Sequence, residues 1–179
     1  MKLNCLLGEK LESTNKETVL DYNKYWKAIK SICEDIKNKY DTNTNIGILG
    51  IARGGLPMLV SISHELGIRN ISIVQLQMSN SDNCHDYGEV RVIGESINKD
   101  VDKFIVLEDI IYKGKTTDEV ISLLNRRNKK VIAVYSLILD NAFIDTNKMK
   151  NKDVDINYAY ELEADDWVYF LWEKNIEEG

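Results

Sequence analysis

Residues Phe104–Thr117 read FIVLEDIIYKGKTT, and this stretch decides the fold. Phe104 to Leu107 are four consecutive apolar residues, the pattern of a strand covered on both faces. Glu108 and Asp109 then place two carboxylates side by side at its exposed end, where the paired charge costs energy unless something cationic or hydroxylic binds. Ile110, Ile111 and Tyr112 lead into the polar turn Lys113, Gly114, Lys115. Thr116 opens a helix, with Glu119 three residues on in the spacing of a capping box. A helix amino terminus offers unpaired backbone N–H groups and the positive end of the helix dipole, and the Thr116 and Thr117 hydroxyls add donors, so this turn can hold a phosphate. Carboxylates for hydroxyl groups and a cradle for phosphate, a few residues apart, fit a phosphorylated sugar. The run GKTT is not a Walker A loop, because it lacks the earlier glycine at the required spacing and follows an acidic pair.

Outward from this stretch the chain alternates helix and strand. Apolar residues at Tyr25, Trp26, Ile29, Ile32, Cys33, Ile36 and Tyr40 recur every three or four positions, one face of a helix beginning at Tyr22. In NIGILGIARGGLP a strand over Ile46 to Ile51 breaks into glycines, and Pro57 opens a helix that stops at Gly67. ISIVQLQ, Ile71 to Gln77, is a second strand with β-branched residues, KFIVLED from Lys103 a third, and Val131 to Leu139 a fourth. Met78–Lys99 has few apolar residues and no helical period, and reads as a long loop. Asp140–Gly179 is polar until INYAYELEADDWVYFLWE, where short strands and two tryptophans return. Alternation of this kind predicts an α/β fold with a mainly parallel sheet, helices on both faces, and ligands at the carboxyl ends of the strands.

The chain has 179 residues, room for one domain, and 44% hydrophobic against 29% charged residues with a single proline suits a globular core. A net charge of −6 argues against a surface built to neutralise a nucleic-acid backbone, so no nucleic-acid partner is expected. Cys5, Cys33 and Cys84 are odd in number and dispersed, which predicts neither a disulfide framework nor a zinc site. The apolar stretch in MKLNCLLGEK is too short for a signal peptide and no later run could span a membrane, so a cytoplasmic location is expected. His85, in the long loop, reads as a solvated side chain, and His64 as a structural one.

The segment FIVLEDIIYKGKTT resembles the phosphoribosyl pyrophosphate (PRPP) binding motif of type I phosphoribosyltransferases. IARGGLP, Ile51–Pro57, lies where that family has its pyrophosphate loop. The tail ADDWVYFLWE, Ala164–Glu173, is similar to the WVxxPWE-like run of xanthine-guanine and hypoxanthine phosphoribosyltransferases. The resemblance implies the type I fold in one domain over residues 1–179, with a core at about 17–140 and a hood with base-binding tail at about 141–179. It implies that Glu108 and Asp109 contact the ribose hydroxyls and that Ile110, Ile111, Tyr112 and the Lys113–Thr117 loop complete the PRPP site. Arg53 and Gly54 would hold pyrophosphate, Trp167 would stack on the base, Val168 would present its backbone to it, and Tyr112 would lie near it. Arg53, Glu108 and Asp109 form the implied catalytic set. Mg²⁺ is the implied cofactor, held mainly by substrate oxygens and water with Glu108 and Asp109 acting indirectly.

The implied reaction moves the 5-phosphoribosyl group of PRPP to a nucleobase of purine type, giving a nucleoside monophosphate and pyrophosphate in purine salvage, in a homodimer. The family also has a flexible loop over the site where Met78–Lys99 stands. Three positions depart from the purine members. Tyr112 stands where they have an aspartate, SLILDN lacks their lysine after the fourth strand, and Leu171 replaces the tail proline. A non-catalytic PRPP or nucleotide sensor on the same fold, and transfer to a non-purine acceptor, therefore stay open.

Overall fold

A computed structural model of the chain describes residues 1–12, 17–78, 89–142, 144, 146, 148–162 and 167–173. In chain order these form β1 (Leu3–Lys10), β2 (Glu17–Leu20), α1 (Tyr22–Lys39), β3 (Ile46–Ala52), α2 (Gly55–Leu66), β4 (Ile71–Met78), β5 (Val90–Ser96), β6 (Lys103–Ile111), α3 (Lys115–Arg126), β7 (Lys130–Asp140), β8 (Ile156–Leu162) and β9 (Trp167–Phe170). Seven strands make one sheet in the order β1-β8-β7-β6-β3-β4-β5. Its neighbours run parallel except β5, which is antiparallel to β4. A second sheet pairs β2 with β9 in parallel.

The period of two along each strand divides the core between the two faces of the sheet. On β6, Ile105 and Leu107 join the cluster that holds the apolar faces of α1 and α2, whereas Phe104 and Val106 join the cluster under α3. α1 buries Tyr25, Ile29, Ile32, Cys33 and Ile36 of the predicted stripe together with Ala28, while Trp26 and Tyr40 are half-buried, and the Asp21 side chain caps it by accepting from the Lys24 backbone N–H at 2.8 Å. Each such fully buried aliphatic side chain contributes about 1.5–3 kcal/mol relative to exposure. α2 ends, as predicted, at Gly67 in the left-handed region, but it opens at Gly55, two residues before Pro57. A proline in the first helical turn costs little, because the N–H it lacks has no partner there.

Three expectations need correction. Part of the long loop is β5: Val90 and Val92 alternate with Arg91 and Ile93, and the half-buried valines face the core while their neighbours face solvent. Residues 79–88, with Cys84 and His85, lie outside the described residues. The amino-terminal residues, read without any element, supply β1, the edge strand beside β8, and β2 of the small sheet. The capping box is not formed. α3 starts at Lys115 with Gly114 before it and no side-chain cap. Thr116 lies inside the first turn with its hydroxyl committed elsewhere, and Glu119 pairs with Arg126 at 2.8 Å.

Among the described residues no helix is long and apolar enough to cross a membrane. Cys5 and Cys33 are free thiols, and burial pushes the Cys33 thiol up to about 12.

Candidate active site

β3 and β6 are neighbours in the sheet, yet α2 carries the chain from β3 to β4 on one side and α3 carries it from β6 to β7 on the other. The connections diverge here, which opens a crevice at the carboxyl ends of these two strands. Arg53 and Gly54 follow β3, and Glu108 and Asp109 lie near the end of β6. The two motifs singled out in the sequence therefore meet at the topological switch point.

The same period of two that divides the core also parts the acidic pair, so the carboxylates do not stand side by side at an exposed end. Glu108 follows Phe104 and Val106 toward α3 and is only 5% exposed. Its two carboxylate oxygens accept from the Thr116 and Thr117 hydroxyls. Burial, reinforced by the Asp109 charge and opposed by the threonine bonds, raises the Glu108 pKa to about 7. Asp109 follows Ile105 and Leu107 toward α2. Its Oδ1 accepts from the Ile110 backbone N–H at 2.9 Å. Burial raises its pKa to about 6, with the Glu173 charge adding to the rise.

The glycines after Arg53 make this approach possible. A Cβ on Gly54 would lie 1.6 Å from Asp109 Oδ2, and one on Gly55 would lie 2.5 Å from the Leu107 carbonyl oxygen. Gly54 thus makes room for the carboxylate and Gly55 lets α2 start against the backbone of β6. The peptide between Ala52 and Arg53 is cis.

Two cavities flank Asp109. The smaller, about 210 Å³, lies against Glu108, Tyr112, Lys113, Gly114, Lys115 and Thr116. Gly114 turns the chain there with φ 73°, and a side chain on it would also press on Met149. Ile111 and Thr117 belong to the interior instead, Thr117 being fully buried. Met149 begins a short stretch tied to α3 by Asp118, whose carboxylate accepts from the Lys150 and Asn151 backbone N–H groups. The larger cavity, about 720 Å³, is lined by Arg53, Gly54 and Asp109 together with Trp167, Tyr169, Trp172 and Glu173 of the tail. Trp167 is 61% exposed and faces this space, whereas the Val168 side chain is buried.

Trp172 and Glu173 were not singled out in the sequence. Trp172 stacks on Phe170 at 4.9 Å and meets Tyr25 of α1 edge-on at 5.7 Å, which pins the tail to the core. Glu173 accepts from the Phe170 backbone N–H at 3.3 Å. It closes the tail run already compared with the family, and that position was the one signal available for it.

Residues 15–178 match the family model of the phosphoribosyl transferase domain. The chain belongs to that family. Among its relatives, the transcriptional regulator GfcR of Methanocella arvoryzae is 24% identical over 121 residues, which cover 66% of this chain and 57% of the regulator. The chain therefore spans less than two thirds of that relative's length. A xanthine-guanine phosphoribosyltransferase of Cereibacter sphaeroides is 24% identical over 126 residues, 70% of this chain and 68% of that one. In fold it resembles the purine phosphoribosyltransferase of Pyrococcus horikoshii, with TM-score 0.68, 20% identity, and 89% and 96% of the two chains covered. A Neisseria gonorrhoeae protein with bound ppGpp superposes with TM-score 0.69 at 18% identity, covering 91% and 92%. The family's enzyme class is pentosyltransferase, and its α/β fold with a mainly parallel sheet is the one observed.

Proposed function

We propose that this phosphoribosyltransferase moves the 5-phosphoribosyl group of PRPP to a nucleobase of purine type, releasing pyrophosphate and leaving a nucleoside monophosphate. The observation that carries the reading is that Asp109 lines two cavities, one with the Lys113–Thr116 turn and the other with the Arg53–Gly54 loop, both loops suited to anions. PRPP has a phosphate at one end, a pyrophosphate at the other and ribose hydroxyls between. The turn at the α3 amino terminus would hold the 5′-phosphate, with Lys113 and Lys115 adding charge. Glu108 and Asp109 would accept from the ribose hydroxyls, and the Arg53 guanidinium would match the pyrophosphate oxygens.

The bond from the anomeric carbon to pyrophosphate breaks while a base nitrogen bonds to the same carbon, through an oxocarbenium-like state. Orientation and charge placement by these residues are the chain's contribution. Asp109 suits Mg²⁺, which prefers few protein ligands and keeps waters and substrate oxygens. When bound, the ion supplies positive charge to the leaving pyrophosphate. Trp167, exposed and lining the larger cavity with Arg53, offers an aromatic face for the base. Tyr112 is a poor proton acceptor where a carboxylate base would stand, so 6-oxopurines should turn over slowly and Tyr112→Asp should raise that rate.

The single domain over residues 1–179 stays our reading, but with β8 in the central sheet the hood read at about 141–179 reduces to the tail with β9, which pairs with β2. A cytoplasmic homodimer is the remaining part of the proposal.

A regulator that binds PRPP or a nucleotide without turnover is a second reading, favoured by the similarity to GfcR and by Tyr112. Incubation with PRPP, Mg²⁺ and a panel of bases, followed by pyrophosphate release, decides between them. Release with a purine is expected. PRPP binding by calorimetry without release from any base would make the protein a sensor, and no PRPP binding at all would overturn both readings.

A further inference from the structure

We propose that Glu108 is an internal competitor in the phosphate cradle. Its carboxylate and a ligand's phosphate share one donor, the Thr116 hydroxyl, and a ligand gains that donor at low cost only if it brings hydroxyls of its own to Glu108. The inference rests on the phosphate-binding reading of the Lys113–Thr116 turn given above and concerns what that turn selects.

A threonine hydroxyl has one proton to donate, and the Glu108 carboxylate, ionised above about pH 7, has none. Here both hydroxyls are committed, Thr116 to Oε1 and Thr117 to Oε2 of Glu108. Thr117 is fully buried, so its proton serves Glu108 alone. Thr116 is different, because it lines the smaller cavity together with Lys113, Gly114 and Lys115, where an anion would sit. A phosphate that takes the Thr116 proton leaves one oxygen of a buried carboxylate short of a donor. Buried charged acceptors lose heavily when a partner is removed.

An anion without hydroxyls can only trade one bond for another, and so gains little from Thr116. A sugar phosphate is in another position, because Glu108 also lines the same cavity and a sugar hydroxyl can donate to the oxygen that Thr116 gives up. The cradle would then discriminate for phosphates attached to hydroxyl-bearing groups beyond what the direct contacts provide.

A double-mutant cycle tests this with two probes, sulfate, which has no proton to donate, and ribose 5-phosphate, each titrated by calorimetry at about pH 8.5, where Glu108 is ionised. For sulfate, Thr116→Val is expected to weaken binding twofold or less in the natural protein and about tenfold in the Glu108→Ala background, where the hydroxyl is released. For ribose 5-phosphate the Thr116→Val loss is expected to be about tenfold already with Glu108 present. Removing the Glu108 charge by itself tightens both anions, but equally with Thr or Val at 116, so it cannot produce the coupling. The same factor for sulfate in both backgrounds overturns the inference while leaving the site intact. Binding of neither probe by the natural protein overturns the phosphate reading itself and the inference with it. If circular dichroism shows Glu108→Ala unfolded, Glu108→Gln, whose neutral amide is a weaker acceptor, takes its place with the coupling expected in the same direction.

Discussion

Substituting Gly54 by alanine isolates the placement of Asp109 from the stability of the fold. Gly54 has φ −61° and ψ −33°, a conformation open to any residue, so the new methyl meets no backbone strain. It meets Asp109 instead, at 1.6 Å from Oδ2, 2.1 Å from Cγ and 2.5 Å from Oδ1. Restoring ordinary contact requires the carboxylate to retreat by roughly 1.5–2 Å, since atoms pack at about 3.5 Å. That shift breaks the 2.9 Å bond from Ile110 N–H and displaces the acceptor from the position at which Asp109 lines both cavities. A misplacement of about 1 Å in a catalytic group can cost on the order of 100-fold, so PRPP binding or turnover should fall by about 10- to 100-fold.

Stability should move little, by about 1 kcal/mol or less, because alanine also restricts the unfolded chain and offsets part of the clash. Gly55→Ala is the control. Its methyl meets the Leu107 carbonyl of β6, which cannot swing aside, so the expected result is a loss of roughly 1–3 kcal/mol in stability. The assays are a urea melt and a PRPP titration on both variants. Gly54→Ala with unchanged PRPP affinity would refute the role given to Asp109.

Arg53→Ala should lower turnover more than it weakens binding of a nucleoside monophosphate, which leaves the pyrophosphate end unfilled; equal losses would make Arg53 structural. Trp167→Ala should weaken the base while keeping PRPP affinity and thermal stability, because the ring is exposed. Trp172→Ala should instead lower the melting temperature, since that ring packs on Phe170 and Tyr25. The acidic pair makes stability depend on pH with an unusual sign. With Glu108 raised to about 7 and Asp109 to about 6, the folded chain holds more protons than the unfolded one from the ordinary carboxylate range up to about pH 7. Stability contributed by these groups therefore falls as pH rises through that window, by up to about 1.4 kcal/mol per pH unit per extra proton, and levels off above it. Glu108→Gln should flatten the dependence in urea melts across that range, and an unchanged slope would show that Glu108 does not titrate there.

The parts of the fold visible in the sequence are those where local pattern and tertiary role agree. FIVLEDIIYKGKTT and IARGGLP each carry a strand, a turn and a helix start within a dozen residues, and the structure joins them at the switch point. β1 escaped because LNCLLGEK mixes apolar and polar residues without clean alternation, and its pairing partner β8 lies far along the chain. β5 escaped because VRVIGES is an exposed edge with only half-buried valines. At Thr116 the local signal was present and misleading. The capping-box spacing is satisfied, but a buried carboxylate eight residues earlier holds the hydroxyl. The tail run pointed to Trp167 but not to Trp172, which lies in the turn beyond β9 and lines the same cavity.

The edge position of β1 has a consequence for how the protein is assembled. β1 has β8 as its neighbour in the sheet, and the bond from the Lys2 backbone N–H to Asp155 spans 153 residues of chain. β1 therefore waits for a strand made much later than itself, and its pairing with β8 cannot form before then. β2 waits in the same way for β9. Contacts so distant in sequence slow folding, because the loop must close before the pairing rewards it. In a nascent chain β7 presents an open edge to any passing strand until β8 arrives, which marks Val134–Asp140 as the place where a folding chain needs shielding.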